Sequence, residues 1–458
     1  MTTTVHNGAG PAPATASVQS AENPLHRLTP EQLEQIGREF DELHEQVRGD
    51  LGDRDARYIR SMIAFQRQLA LIGRVELIAS RWRIPWVVGA STLGMAKILE
   101  NMEIGHNVMH GQWDWMNDPV INSRAWDWDT ASTAEAWRHS HNFIHHTYTN
   151  IVGKDRDLGY EIMRIDPGQN WHPVYLLQPF YNVLLAMLFE WGVAVHDLDF
   201  DAIRKGEKDM KQVRKELKGI AGKARAQITK DYIAWPLISG LVMTSIEAGV
   251  YAAKARAENR HGPTRLSRRA RRLARRAARR SGERDGLLSK LVERRSFRDP
   301  FMRTLTADVA ANLIRNVWSY AIIFCGHFPD QTFTFTQEET TDETRGAWYV
   351  RQLLGAANID GGSLFHVISG NLGYQVEHHL FPDMPSTRYG EIAPKVRDLC
   401  ERYGLPYNSG PFHQQLGMVQ RTILRLALPG GRQRPKPGPY HGAKVRGSGE
   451  RADAVTGA

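Results

Sequence analysis

The chain has 458 residues and two cysteines, Cys325 and Cys400, too few for a disulfide framework or an iron–sulfur cluster. Its formal charge of +9 is concentrated between Lys254 and Arg298, where 17 Lys and Arg face four acidic residues, a net of +13 that leaves −4 elsewhere. No stacking aromatics interleave that run, so it argues against a nucleic-acid partner and for anionic lipid headgroups or a solvated linker.

Along the chain, residues 1–28 are rich in Ala, Thr, Pro and Gly and lack the apolar core of a signal peptide, so a disordered leader is expected. Residues 29–428 form the folded body, with a basic insertion at 254–298, and residues 429–458 read as a disordered basic tail. Four apolar segments stand out: Ile84–Asn101, Pro173–Val195, Tyr232–Ala253 and Leu305–Gly326. Each approaches the roughly 20 residues that cross a bilayer as a helix. Residues 59–81 are a weaker candidate, interrupted by Arg67, Arg74 and Glu76, and suit either an interfacial helix or a functional span. The expected fold is all-α, with about four membrane spans and a cytosolic helical cap.

Three histidine clusters lie beside these segments: His106 with His110, His141 with His145 and His146, and Gln375 with His378 and His379. His106 with His110, His141 with His145, and Gln375 with His378 and His379 lie three or four apart and share one helix face, so each set can reach one ion; His146 is adjacent to His145. Imidazole suits Zn, Cu, Fe and Ni, and seven histidines exceed the three or four ligands of a zinc site. A pair of metal ions is therefore expected. A ferritin-like reading needs two Glu-x-x-His motifs and two further Glu. Only Glu103 with His106, and Asp41 with His44, come close. Glu103, Asp114, Asp155, Asp157 and Glu377 are candidates to orient the imidazoles, with ordinary capping the expectation for Asp155 and Asp157. His366 and Asn358 are minor candidates for completing a coordination sphere, and His139 lies off the pattern.

In this order, with the run from Gly373 to Pro382 (Gly-Tyr-Gln-Val-Glu-His-His-Leu-Phe-Pro), the clusters resemble the three histidine boxes of integral-membrane fatty acid desaturases. The stretch from Glu103 to about Arg164 looks most like actinobacterial acyl-CoA desaturases, and the resemblance covers roughly residues 55–415. It implies an O2-dependent acyl desaturase with two iron ions held by His106, His110, His141, His145, His146, His378 and His379. A further ligand, His327, would stand at the cytosolic end of the fourth helix, with Gln375 in or near the set. The reaction removes hydrogen from two neighbouring methylenes of a long-chain acyl-CoA or acyl-lipid, near carbon nine, giving a cis double bond. Gln375 departs from the histidine that opens the third box in many relatives. Glutamine there often accompanies a fused cytochrome b5 domain, but its His-Pro-Gly-Gly haem motif is not found here. No fused haem or flavin domain is expected, so electrons come from a separate ferredoxin-type or flavin/iron–sulfur NAD(P)H reductase. The closest alternative is a membrane hydroxylase, and one of another class is a non-catalytic metal- or lipid-binding sensor.

The resemblance also implies a multi-pass cell-membrane protein whose site faces the cytoplasm. If all the clusters lie on one side, an even number of crossings separates His146 from His378, so one of three intervening candidates is not a span. The expectation is an in-plane helix at Pro173–Val195 and a hairpin of 232–253 with 305–326, which carries the basic insertion outward against the positive-inside tendency; the alternative pairs 173–195 with 232–253, which keeps the insertion inside, exports the Lys-rich 204–230 and is slightly favoured by charge counting. Trp113, Trp115, Trp126, Trp128 and Trp137 are candidates for the wall of an acyl tunnel, with a membrane-interface role expected for most of them.

Overall fold

In the computed structural model, residues 23–260, 268–432 and 435–441 are described, with the backbone alone at 255, 258–260 and 268–294. Residues 1–22 of the expected leader, 261–267 of the basic insertion, and 433–434 and 442–458 of the expected tail lie outside the described residues.

The helix Pro30–Gly49 starts at a capping box: the Thr29 hydroxyl accepts from Gln32 N (3.3 Å) and Gln32 Oε1 accepts from Thr29 N (2.9 Å). Ile36, Phe40, Leu43 and Val47 recur at helical spacing and are buried with Tyr349, Val350 and Leu353 of the helix Arg345–Gly355. The two helices meet at Gly346, where an added Cβ would lie 1.8 Å from the Leu33 carbonyl oxygen.

Four long helices, Asp53–Ile78, Arg83–Ile98, Trp235–Arg260 and Arg268–His327, pack against one another. The bundle buries charge beside an apolar contact of Leu77, Ala90, Leu93, Ala307 and Ala311: Arg74 pairs with Asp231 (2.5 Å) and with Asp308, and Lys97 pairs with Asp231 (2.8 Å). Its outer face is apolar, with Phe65, Leu71, Val75, Val87, Leu241, Ile246, Val250 and Val309 exposed. A helix in water shows the reverse pattern, and an outward apolar face of this extent marks a surface that meets lipid. Among the described residues one helical run, Met210–Lys254, is long and apolar enough to cross a membrane, against the four expected. The other bundle helices carry Arg74, Lys97, Asp308 and Arg315, which lower their mean hydropathy although these side chains are buried.

Two boundaries differ from the expectation. Residues 59–81, the weak candidate, largely belong to the continuous bundle helix Asp53–Ile78. Pro173–Val195 is broken: a 3₁₀ turn at Pro173–Leu177 leads to helices Gln178–Met187 (10 residues) and Phe189–His196 (8 residues), separated at Leu188 with φ −112° and ψ 28°. Neither piece reaches the length of a span. Pro24–Arg27, inside the expected leader, forms a 3₁₀ turn capped by Asn23. Tyr440, inside the expected tail, donates its N–H to Leu405 O (2.9 Å).

The remainder is an all-α cap, apart from a parallel pairing of Asn358–Asp360 with Ser409–Pro411. Asn358 ties this ladder to the third histidine cluster: its Oδ1 accepts from Val376 N (2.8 Å) and its Nδ2 donates to Glu377 Oε2 (2.8 Å).

Candidate metal centre

Each histidine cluster sits where a helix changes character. Arg83–Ile98 widens into a π-helical segment, Leu99–His106, and His110 follows the turn Asn107–Met109. The second cluster begins at a helix capped by Thr133, widens at Arg138–His145 and ends at His146–Tyr148. Such wide turns inside α-helices recur at functional sites. Gln375, His378 and His379 occupy the short helix Gln375–Leu380, and His327 is the last residue of Arg268–His327.

These elements bring all nine expected residues together. His106, His110, His141 and His378 offer ligand atoms within 4.8 Å of one another, as do His145, His327 and His379. The His146 ring lies between the groups, 4.7 Å from His110 and 4.5 Å from His379. Gln375 reaches the second group, with Nε2 3.0 Å from His327 Nε2.

Hydrogen bonds on the far side of the rings determine which nitrogen faces inward. Asp157 accepts from His141 Nδ1 (3.1 Å) and Asp155 from His145 Nδ1 (3.0 Å). Asn107 Nδ2 donates to Glu103 O and Gly370 O, so its Oδ1 accepts from His106 Nδ1 (3.1 Å). Gln352 Nε2 donates to His146 O, so its Oε1 accepts from His379 Nδ1 (3.1 Å). The Tyr389 hydroxyl donates to Phe381 O and accepts from His378 Nδ1 (3.2 Å). Each bond puts the proton on Nδ1 and leaves the Nε2 lone pair free to ligate. Nε2 of His110, His141, His145, His146 and His378 is buried without a partner. Such orphans are costly unless something fills the space between them. Burial, reinforced by neighbouring imidazoles, holds His110, His146, His378 and His379 well below the usual histidine range. They are therefore neutral, the form that binds metal. For His145, burial opposes the charge, but the Asp155 carboxylate outweighs it and raises the pKa. Two groups of inward imidazole nitrogens fit two ions of the iron or zinc type, and this donor set is the arrangement of a histidine-box di-iron site.

Several expectations need correction. Asp155 and Asp157, for which capping was expected, are the carboxylates that hold His145 and His141. Glu103, Asp114 and Glu377 do not touch the imidazoles. Tyr58 OH and Asn371 Nδ2 donate to Glu103, Ser123 donates to Asp114, and Tyr407 OH and Asn358 Nδ2 donate to Glu377. His366 stacks on Tyr374 (4.1 Å) and Asn358 is committed to Val376 and Glu377, so neither completes a ligand group. Trp113, Trp128 and Trp137 are buried rather than interfacial. Trp137 stacks on His141 at 4.6 Å.

A cavity opens beside the histidines, lined by His106, His141 and His327 together with Trp128, Trp137, Phe189, Val193 and Ile323. Sequence reasoning missed Asn107, Gln352, Tyr389 and His196, whose Nε2 donates to Asp157 Oδ1 (3.2 Å). None of the four belongs to a repeated motif.

The fatty acid desaturase family model matches residues 82–253 and 262–411. An NADPH-dependent stearoyl-CoA 9-desaturase of Mycobacterium tuberculosis is 43% identical over 402 residues, 88% of this chain and 82% of that protein. Human fatty acid desaturase 3 is 32% identical over 117 residues, 26% of this chain and 24% of that protein. The acyl-lipid (9-3)-desaturase of Borago officinalis is 37% identical over 81 residues, 18% of each chain. No solved structure matches. With the histidine clusters assembled in two groups and a family match across most of its length, the chain belongs to the fatty acid desaturase family, oxidoreductases that act on acyl chains.

Proposed function

We propose that this desaturase introduces a cis double bond near carbon nine of a long-chain acyl-CoA of the stearoyl class, with electrons from a separate NADPH-linked reductase. The observation that carries the reading is the pair of inward-facing imidazole groups beside an apolar, tryptophan-walled cavity. The Mycobacterium tuberculosis relative, similar over 88% of this chain, supports the acyl carrier, bond position and NADPH dependence. His106, His110, His141 and His378 would hold one iron, His145, His327 and His379 the other, with His146 between them and Gln375 at the second. Bound there, the two irons supply the oxidising power, drawn from O2, that removes hydrogen from unactivated methylenes.

The chain's own residues position and exclude. Asp155, Asp157, Asn107, Gln352 and Tyr389 lock the ring orientations, so little reorganisation accompanies the reaction. Trp137, stacked on His141, and Trp128 form a rigid wall that would hold an acyl chain against the centre and keep bulk water out.

The same reading makes Asp53–Ile78, Arg83–Ile98, Trp235–Arg260 and the later part of Arg268–His327 the four spans, with the cap and site on the cytoplasmic side. Pro173–His196 would lie in the membrane plane. Residues 29–428 would form one catalytic domain, and the basic insertion 254–298 would meet lipid headgroups.

The test is incubation of iron-loaded protein in bilayers with stearoyl-CoA, NADPH and a ferredoxin–reductase pair, locating any new double bond by mass spectrometry. An O2-dependent carbon-nine monounsaturated product is expected. A hydroxylated product would assign the hydroxylase reaction instead, and no product from a reduced, iron-replete enzyme would reject the substrate class.

A further inference from the structure

The helix Phe189–His196 presents apolar residues to two different spaces. Phe189, Val193 and His196 line the catalytic cavity. Leu188, Trp191, Gly192 and Val195 line a groove on the outer surface. The helix stands between the two spaces and sits close to its neighbour: a Cβ at Gly192 would lie 2.4 Å from Leu185 Cδ1. Tyr160 and His196 line both spaces.

Tyr160 is held in the wall by its backbone N–H, which donates to Asp157 O (3.2 Å), and by its ring. It stacks on Phe324 (5.6 Å) and meets Phe189 (5.7 Å) and His196 (5.3 Å) edge-on. Among the described residues none makes a hydrogen bond with its hydroxyl. Its backbone is strained: Gly159, Tyr160 and Glu161 are consecutive left-handed residues with φ of 64°, 52° and 58°. For non-glycine residues that conformation is costly, and here it falls on the segment that separates the two spaces. The groove outside is lined by apolar residues, with Leu184, Leu188, Val195 and Phe200 exposed, and also by the polar Arg156, Gln169 and Asp201. That mixture suits an amphiphile whose hydrocarbon chain meets the apolar residues.

We propose that this groove is an acyl-chain binding site, and that the hydrocarbon chain of the substrate passes sideways between it and the catalytic cavity through the wall at Tyr160 and His196. The inference rests on the acyl-CoA reading above. The juxtaposition of an apolar groove and the catalytic cavity across one shared tyrosine carries it. A chain loaded from the side need not thread its whole length past the histidines.

The experiment uses the full-length, iron-loaded protein in nanodiscs with a stearoyl-CoA analogue bearing a mid-chain diazirine. Photolysis and peptide mapping are expected to give adducts on the cavity wall and also on the groove at Leu184–Val195. Unlabelled stearoyl-CoA should displace both sets. Leu188→Trp should reduce the groove adducts severalfold and slow the appearance of cavity adducts while iron content persists, and Val195→Trp serves if the first variant does not fold. Adducts confined to the cavity, with desaturated product still formed, would overturn the side entrance and leave the desaturase reading intact. Groove adducts that stearoyl-CoA does not displace would assign the groove to bilayer lipid and overturn the proposal as well.

Discussion

Asp155 and Asp157 show how much a single residue can hide. In the sequence they are two acids in a polar loop. In the fold they hold Nδ1 of His145 and His141 at 3.0 and 3.1 Å. Removing such a partner typically weakens metal affinity by roughly 10–100-fold. Asp155→Ala should therefore lower iron affinity by about that factor in a competitive chelator titration, while the purified protein still folds. His145→Ala removes a donor outright and should lose iron and activity together. Full iron content in that variant would reject the assignment of His145 as a ligand. Trp137→Ala leaves the donors in place but opens the wall beside His141. It should retain iron and lose positional selectivity, read as a spread of double-bond positions.

At the scale of elements, the junction of Pro30–Gly49 with Arg345–Gly355 is the most exacting contact. Gly346 faces the Leu33 carbonyl so closely that no side chain fits. Gly346→Ala should destabilise the cap by about 1–3 kcal/mol, the usual cost of overpacking, or force the first helix away. Phe40, buried between Tyr349 and Phe381, should cost about 3–5 kcal/mol on truncation to Ala. Thermal unfolding in detergent would measure both. The capping box at Thr29 and the apolar stripe of the first helix can be read from the chain alone, because both are local periodic signals. The break at Leu188 cannot, because no Gly or Pro stands there to mark it. The two short helices of Pro173–Val195 arise from what packs around them: Gln178 Nε2 donates to Ile423 O (2.6 Å) and Asn182 accepts from Tyr320 OH (2.6 Å).

For the whole molecule, the charge buried in the bundle decides stability. Asp231 is fully buried and pairs with both Arg74 and Lys97. Asp231→Ala would leave two buried cations short of a partner, a loss of about 3–5 kcal/mol by analogy with other broken buried pairs. The double variant with Arg74→Met should recover part of it, measured in the same unfolding assay. The bundle also makes a topological prediction. Cys325 and Cys400 are buried, so the native chain offers little thiol background. A cysteine at Glu391 of the cap and one at Tyr251, near the far end of Trp235–Arg260, should react with impermeant reagent from opposite faces of the membrane. Labelling of both from one face would reject the four-span arrangement.

The clustered histidines could be picked out of the sequence because metal-ligand spacing repeats itself locally: a His four residues from a His shares a helix face whatever surrounds it. His327 carries no such local signal and was singled out by the resemblance alone. The all-α class follows from long apolar and amphipathic runs. What only the tertiary structure decided is what depends on residues far apart in the chain: the division of the histidines into two groups, and the Nδ1 partners that set their tautomers. It also decided the inward turn of Arg74, Lys97 and Asp231, and the wall at Tyr160. These are pairings between side chains up to hundreds of positions apart, such as Arg74 with Asp308 and His379 with His327. Hydropathy averages and local spacing carry no record of such partners, since a buried charge is stabilised only by the group that the fold brings to it.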